Sequence, residues 1–293
     1  MGAVAEQAAR ADEVPVASGN AQLLADADRP GGYLLIVDRI RQSYVDLDDP
    51  GYLDFEYLQD IAAIVDALPA GRLEVTHVGG GALTFARYVA YRRPGSSQIV
   101  LEPDQELIDL VRRRLPLPKR SGIRIRPLPG RPGVAALGAG SADVVVLDAF
   151  LGGRVPADLT TREFLADVRR VLRPRGVFLA NVADGPPLTY LRRLLAGLRA
   201  EFGSALAMAD SAVLRGRRYG NVVVAAGQLP QPAIRRAAAA APFPRRVLAG
   251  SDLVAFVANA HPFTDADADR SPPPPDAAWR VEDLDWPGDD VKQ

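Results

Sequence analysis

The chain has 293 residues, with 35 Lys plus Arg against 36 Asp plus Glu, and 48% of it is hydrophobic. These values fit one large globular domain or two small ones. It has no cysteine and two histidines. That excludes disulfides, thiolate metal sites and cysteine nucleophiles, and no metal is expected.

Residues 1–30 are rich in Ala, Asp and Glu without a clear period, and a disordered N-terminal tail is expected there. Met1 to Asp28 has no basic start followed by an apolar run. No stretch of the chain reaches the ~20 apolar residues that span a bilayer, so a cytoplasmic protein away from membranes is expected. Tyr33 to Val37 is a short apolar run and a predicted strand. Residues 31–68 read as a short β lead-in and a first helix. In that helix Phe55, Leu58, Ile61, Ala62, Val65 and Leu68 recur at helical spacing, and Pro69 and Gly71 stop it.

Residues 69–262 then alternate strand and helix. Leu73 to Val78 is a buried strand, Gly79-Gly80-Gly81 a tight turn, and Ala82 to Arg92 a helix. Gln98 to Leu101 is the next strand, Asp104 to Leu115 a helix, and Ile123 to Arg126 a short strand. Asp143 to Leu147 is apolar and β-branched, as a central strand should be. Thr160 or Thr161 opens a helix to Leu172, Gly176 to Asn181 is a strand, and Leu188 to Phe202 a helix. Leu206 to Met208 and Asn221 to Ala226 are strands joined by the basic segment Arg215 to Arg218. The alternation predicts an α/β fold: a Rossmann-like, doubly wound, mostly parallel sheet of the class I methyltransferase type. Residues 263–293 are acidic and rich in proline, with nine acidic residues against three basic ones from Pro262 onward. They are expected to be disordered or to lie along the surface.

Three positions carry the chemistry. A glycine-rich turn between strand and helix lets a ligand approach the backbone and faces free N–H groups, although such a turn also occurs without a ligand. Glu102 ends the next strand 23 positions after Gly79, near the spacing at which a carboxylate meets a ribose diol. Asp104, two residues on, is placed to cap the following helix. Asp148 closes the apolar strand on the side where open α/β sheets bind ligands; a turn-forming Asp is the alternative. His77, inside a strand, reads as a core histidine. The basic stretch from Arg112 to Arg131 reads as a solvated face balanced by the acidic tail. Without interleaved aromatics it is not expected to bind nucleic acid.

The ordered segments VTHVGGG, IVLEPD, ADVVVLDAF and VRRVLRPRGVFLAN, within Asp38 to Gly227, resemble the spermidine synthase family. The segment Arg41-Gln42-Ser43-Tyr44 resembles that family's early serine-containing segment, and Arg218-Tyr219-Gly220-Asn221 its late one. The resemblance implies a small N-terminal β domain on a methyltransferase-like core, a dimer, and aminopropyl transfer from decarboxylated S-adenosylmethionine to a diamine. It implies Gly79, Gly80, Gly81 and Glu102 as cofactor-binding residues, Asp148 as the catalytic acid facing the amine, and Ser43, Tyr57 and Tyr219 as substrate-binding residues. The chain departs from the family where Ala82 and Leu83 follow the glycines, where Leu151 stands in place of a second aspartate, and where Pro129-Gly130-Arg131 carries no carboxylate. These losses imply a degenerate diamine site beside a better kept nucleoside site. Two other functions remain open on the same core: an S-adenosylmethionine-dependent methyltransferase acting on some other small-molecule acceptor, and a non-catalytic scaffold or regulatory protein. A second carboxylate near Asp148, with Asp46, Glu56 and Asp184 as candidates, would favour an amine acceptor.

Overall fold

The computed structural model describes residues 13–275. Strands Val14–Val16 (β1), Gly19–Ala25 (β2), Gly32–Val37 (β3) and Ile40–Asp46 (β4) form an antiparallel meander in chain order. Asp38 and Arg39, with φ of 48° and 65°, make the turn between β3 and β4. Such two-residue turns match the twist of the strands they join. The expected disorder of residues 1–30 is therefore corrected from residue 14 onward, and residues 1–12 lie outside the described residues. Ala21 and Leu23 point inward at a period of two from a run too short to stand out in its polar surroundings.

The second sheet has eight strands. They are Glu74–Val78 (β5), Ser97–Leu101 (β6), Ile123–Arg126 (β7), Ala142–Leu147 (β8), Leu172–Asp184 (β9), Ala205–Ala209 (β10), Gly220–Gly227 (β11) and Arg246–Ala249 (β12). Their order is β12-β10-β11-β9-β8-β5-β6-β7. The run from β7 to β9 is parallel, and β10 to β12 close the sheet with antiparallel pairs. The chain winds outward from β5 to β7, then returns to lay β8 on the other side of β5. The carboxyl ends of β5 and β8 thus form the switch point at which such sheets open a crevice.

Helices Glu56–Asp66 (α1), Thr84–Arg92 (α2), Gln105–Arg114 (α3), Gly130–Ala135 (α4), Arg162–Val171 (α5), Thr189–Phe202 (α6), Ser211–Leu214 (α7), Gln231–Ala240 (α8) and Ser251–Val257 (α9), with a 3-10 turn at Ala157–Leu159, complete the described elements. Alternate strand residues feed different cores, as a pleated sheet requires. Val144, Val146 and Leu179 pack with Ile61 of α1 and Ile234 of α8. Val145, Leu147 and Phe178 pack with Phe164 of α5 and Leu191 of α6. A third core joins Leu23, Leu35 and Val45 of the meander to Ala86 of α2 and Val111 of α3. No helix among the described residues is long and apolar enough to cross a membrane.

The described part of the C-terminal segment takes the second of its two expected courses, along the surface. Phe263 is buried against Tyr190, with ring centroids 5.2 Å apart, and the Arg193 guanidinium lies 4.0 Å from its centroid. Arg131 holds Asp265 through two bonds of 3.0 and 2.8 Å. Residues 263–267 therefore follow the surface of the second sheet's helices and residues 270–272 reach Arg154, Val155 and Tyr219, while the acidic stretch 276–293 lies outside the described residues. Phe263→Ala is expected to cost about 3 kcal/mol. That corresponds to a fall in Tm of roughly 6–10 °C in thermal unfolding.

Candidate active site

The crevice at the switch point is a cavity of about 840 Å³ whose lining includes Gly79, Gly80, Gly81, Glu102, Asp148, Asn181, Tyr219 and Asn221. Its first wall is the turn after β5. Gly79 has a φ of 101°, and a Cβ there would lie 2.1 Å from the backbone oxygen of Asp148. The turn and the end of β8 therefore touch through backbone alone. Gly80 N donates to Glu102 Oε2 at 2.9 Å, and Asp104 N donates to Oε1 at 3.1 Å. Burial raises the Glu102 pKa, and these backbone donors partly offset it. Asp104 caps α3 through Leu107 N at 3.0 Å and also accepts from Ser18 N and Oγ at 3.1 and 3.2 Å. The predicted cap is thus present, and it ties the meander to the main sheet.

Ser43 lies beneath the turn. Its Oγ accepts from Ala82 N at 3.2 Å and sits 3.5 Å from Thr84 Oγ1, so it braces the glycine turn from β4. His77 is a buried core histidine whose Nε2 lies 2.8 Å from Gln98 Oε1; burial pushes its pKa down to about 4. On the side where the resemblance lacks a carboxylate at Pro129-Gly130-Arg131, Asp158 lines the cavity, a residue the sequence reading passed over.

Asp148 is the centre of the second wall. Tyr57 OH, from α1, donates to its Oδ2 at 3.1 Å, and Asn181 Nδ2, from β9, donates to its Oδ1 at 3.0 Å. Burial raises the Asp148 pKa above the usual carboxylate value, and the two donors pull against that shift. Burial and the adjoining carboxylate push the Tyr57 hydroxyl well up, so it remains a donor. Because Asn181 gives its amide nitrogen to the carboxylate, its Oδ1 faces elsewhere. That oxygen and Asn221 Oδ1 are both buried and accept no hydrogen bond. Val223 pairs with Asn181, and Asn221 stands two residues away on the same face of β11. Asp148, Asn181 and Asn221 thus form a row across three neighbouring strands. Buried amide oxygens without donors are uncommon in folded proteins.

The candidate second carboxylates do not join this row. Asp46 accepts from Arg29 at 2.7 Å and from Asp48 N and Asp49 N. Asp184 accepts from Gly185 N and Leu191 N, both at 2.8 Å. Neither lines the cavity. Glu56 does, but Arg245 pairs with it at 2.7 Å and with Asp60 at 3.1 Å. Asp54 is paired with Arg41 at 3.0 Å and Asp210 with Arg218 at 3.5 Å. Among the described residues no group of three or more His, Asp or Glu is arranged to hold a metal ion.

A probable spermidine synthase from Corynebacterium glutamicum is 30% identical to this chain and superposes with a TM-score of 0.81, covering 86% of this chain and 95% of that one. The chain belongs to the spermidine synthase family. A polyamine aminopropyltransferase of Chromobacterium violaceum is 30% identical over 159 residues, 53% of this chain. The match spans 59% of that relative's length. Human methyltransferase-like protein 13 in complex with SAH, 20% identical, superposes with a TM-score of 0.52 over 62% of this chain and 89% of that one, a likeness of fold. No protein-family model matches the chain.

Asn181 and Asn221 were missed as site residues in the sequence, although Asn181 is the one polar residue in the apolar run from Val177 to Ala183. Tyr219 lines the cavity, and its hydroxyl donates to Pro272 O at 3.0 Å. Gly79→Ala is expected to destabilise the fold by about 2 kcal/mol or more, because neither backbone can yield and the φ disfavours a side chain. Denaturant unfolding with an unchanged midpoint would contradict that contact.

Proposed function

We propose that this chain transfers an alkyl group, in the first place aminopropyl, from an adenosyl sulfonium co-substrate to an amine. The observation that carries the reading is the row of acceptors formed by Asp148, Asn181 Oδ1 and Asn221 Oδ1 at the switch point. A protonated amine is a donor-only group with three N–H bonds, and it matches a buried carboxylate flanked by orphaned amide oxygens.

The donor's nucleoside fits the glycine turn. Gly79–Gly81 would let the backbone come close, and the remaining lone pairs of Glu102 would accept from the ribose hydroxyls. The sulfonium supplies a carbon that is attacked when the amine presents its lone pair. The C–S bond breaks, its electron pair stays on sulfur, and a thioether nucleoside leaves. The amine must first lose a proton. Asp148 would take it, and its raised pKa, which makes it a stronger base than an exposed carboxylate, supports that role. Tyr57 and Asn181 orient both of its oxygens.

The acceptor side favours one ammonium over two. Asp54, Glu56, Asp60 and Asp210 line the cavity already matched by arginines. At those four positions a diamine's second charge meets ion pairs instead of a free carboxylate, and Asp158 lies on the other side, beside Pro129-Gly130-Arg131. We take the acceptor to be an amine that is short or carries a neutral far end, handled by a cytoplasmic enzyme that pairs as a homodimer.

Two measurements test the reading. In thermal-shift titration, methylthioadenosine or decarboxylated S-adenosylmethionine at 100 times its Kd should add about 2.7 kcal/mol of stability, a rise of roughly 5–10 °C. A preference for S-adenosylmethionine would turn the assignment to methyl transfer, and no shift with any of them would sink it. In amine-transfer assays Asp148→Asn should lower kcat by about 100-fold to 10,000-fold. The wild-type kcat/KM should fall as pH drops through a pKa above the usual carboxylate range, because protonated Asp148 no longer accepts the amine proton. The Asn variant should lose that limb, and undiminished turnover would refute the role.

A further inference from the structure

The loop that follows Asp148 forms part of the cavity wall, through Ala149, Phe150, Leu151, Gly152 and Gly153. Gly152 and Gly153 have φ of 60° and 73°. Two successive left-handed glycines leave such a segment with many alternative conformations unless something outside it holds it. Its internal tie is the bridge between Leu151 and Arg154, with bonds of 2.9 and 3.3 Å.

The outside hold comes from more than a hundred residues away. Val155 N donates to Ser271 Oγ at 2.8 Å, and Ser271 N donates to Val155 O at 3.3 Å. Arg154 donates through Nε to Ser271 O and through Nη2 to Arg270 O, and its guanidinium lies 3.9 Å from Asp269. Ser271 has 0% exposure, as deep as the strand cores. The next residue, Pro272, accepts from Tyr219 OH on another part of the cavity wall. Upstream, buried Phe263 and the Arg131–Asp265 pair anchor the same segment to the helices.

The geometry points to residues 263–272 as a strap that positions the acceptor side of the cavity, with Ser271 as its positioning residue. One short run of backbone sets both the loop after Asp148 and the Tyr219 hydroxyl. The glycine turn and Glu102 are fixed by other partners, namely Ser43, Asp104 and Leu101. Loss of the strap therefore acts on the acceptor and leaves the nucleoside half in place.

The test uses the full-length chain carrying Ser271→Ala. Hydrogen exchange at residues 149–155 should quicken by about tenfold or more relative to wild type, while β5 and β8 keep their protection. The Kd of methylthioadenosine should stay within about twofold. Unchanged exchange in the loop overturns the proposal, and so does an increase shared equally by the whole fold. If Ser271→Ala does not fold, Arg154→Ala replaces it. That variant removes the two side-chain bonds to the backbone of residues 270 and 271 and should quicken exchange at residues 149–155 in the same way; unchanged exchange overturns the proposal. For Ser271→Ala a kinetic split is also expected, KM for the amine up about tenfold and kcat within about twofold. The kinetic arm rests on the amine-transfer reading above. The exchange arm does not, so a wild-type chain without turnover removes that reading while exchange in Ser271→Ala still decides the strap.

Discussion

The close contact between Gly79 and the backbone of Asp148 is the constraint on which the site depends. β5 and β8 are neighbours only because the chain reverses its winding after β7. Val78 O then accepts from Asp148 N at 2.9 Å, and Gly79 N donates to Leu101 O at 2.9 Å. At these bonds or one residue beyond them the three strands release the groups that line the crevice: the glycine turn from β5, Glu102 from β6 and Asp148 from β8. Any side chain at Gly79 would drive the turn and the carboxylate apart. The distance between the Gly79–Gly81 turn and the Asp148 carboxylate is thus set by backbone, which is stiffer than any pair of side chains.

Around that contact the electrostatics divide. Asp148 is buried and met by two neutral donors, Tyr57 and Asn181, so its charge is oriented without being cancelled. Four carboxylates farther along the wall are cancelled: Arg245 serves Glu56 and Asp60, and Arg41 and Arg218 serve Asp54 and Asp210. An uncompensated carboxylate in a buried position is costly to a fold that makes no use of it. Its presence here, beside two amide oxygens that accept no hydrogen bond, sets Asp148 apart from the four arginine-paired carboxylates around it.

Much of this was legible in the sequence, and the parts that were not share a cause. The glycine turn, Glu102, the Asp104 cap and Asp148 are local: each is a strand end followed by a turn or a helix start, and apolar runs mark those ends. The row from Asp148 to Asn221 is not local. It exists because β11 runs antiparallel beside β9, and nothing in a linear reading sets that order or register. Arg245 likewise meets Asp60 from 185 positions away. The strands β1 and β2 were hidden for another reason. Their apolar residues are few, and they gain their core only by packing on α2 and α3.

The C-terminal segment shows how composition can mislead. An acidic, proline-rich stretch reads as solvated chain, yet its described part is held along its length. Asp265, Asp267 and Asp269 face Arg131, Arg193 and Arg154, which gives the charge asymmetry between tail and body a partial structural meaning. Those aspartates are about half exposed or more, and exposed pairs contribute little each. The segment is fastened instead by what is buried: Phe263 between Tyr190 and Arg193, and Ser271 in hydrogen bonds with Val155. The charges choose where the chain lies, and the two buried residues fasten it there. Because one fastening is to the loop after Asp148, the run that looked least structured in the sequence reaches the wall of the cavity.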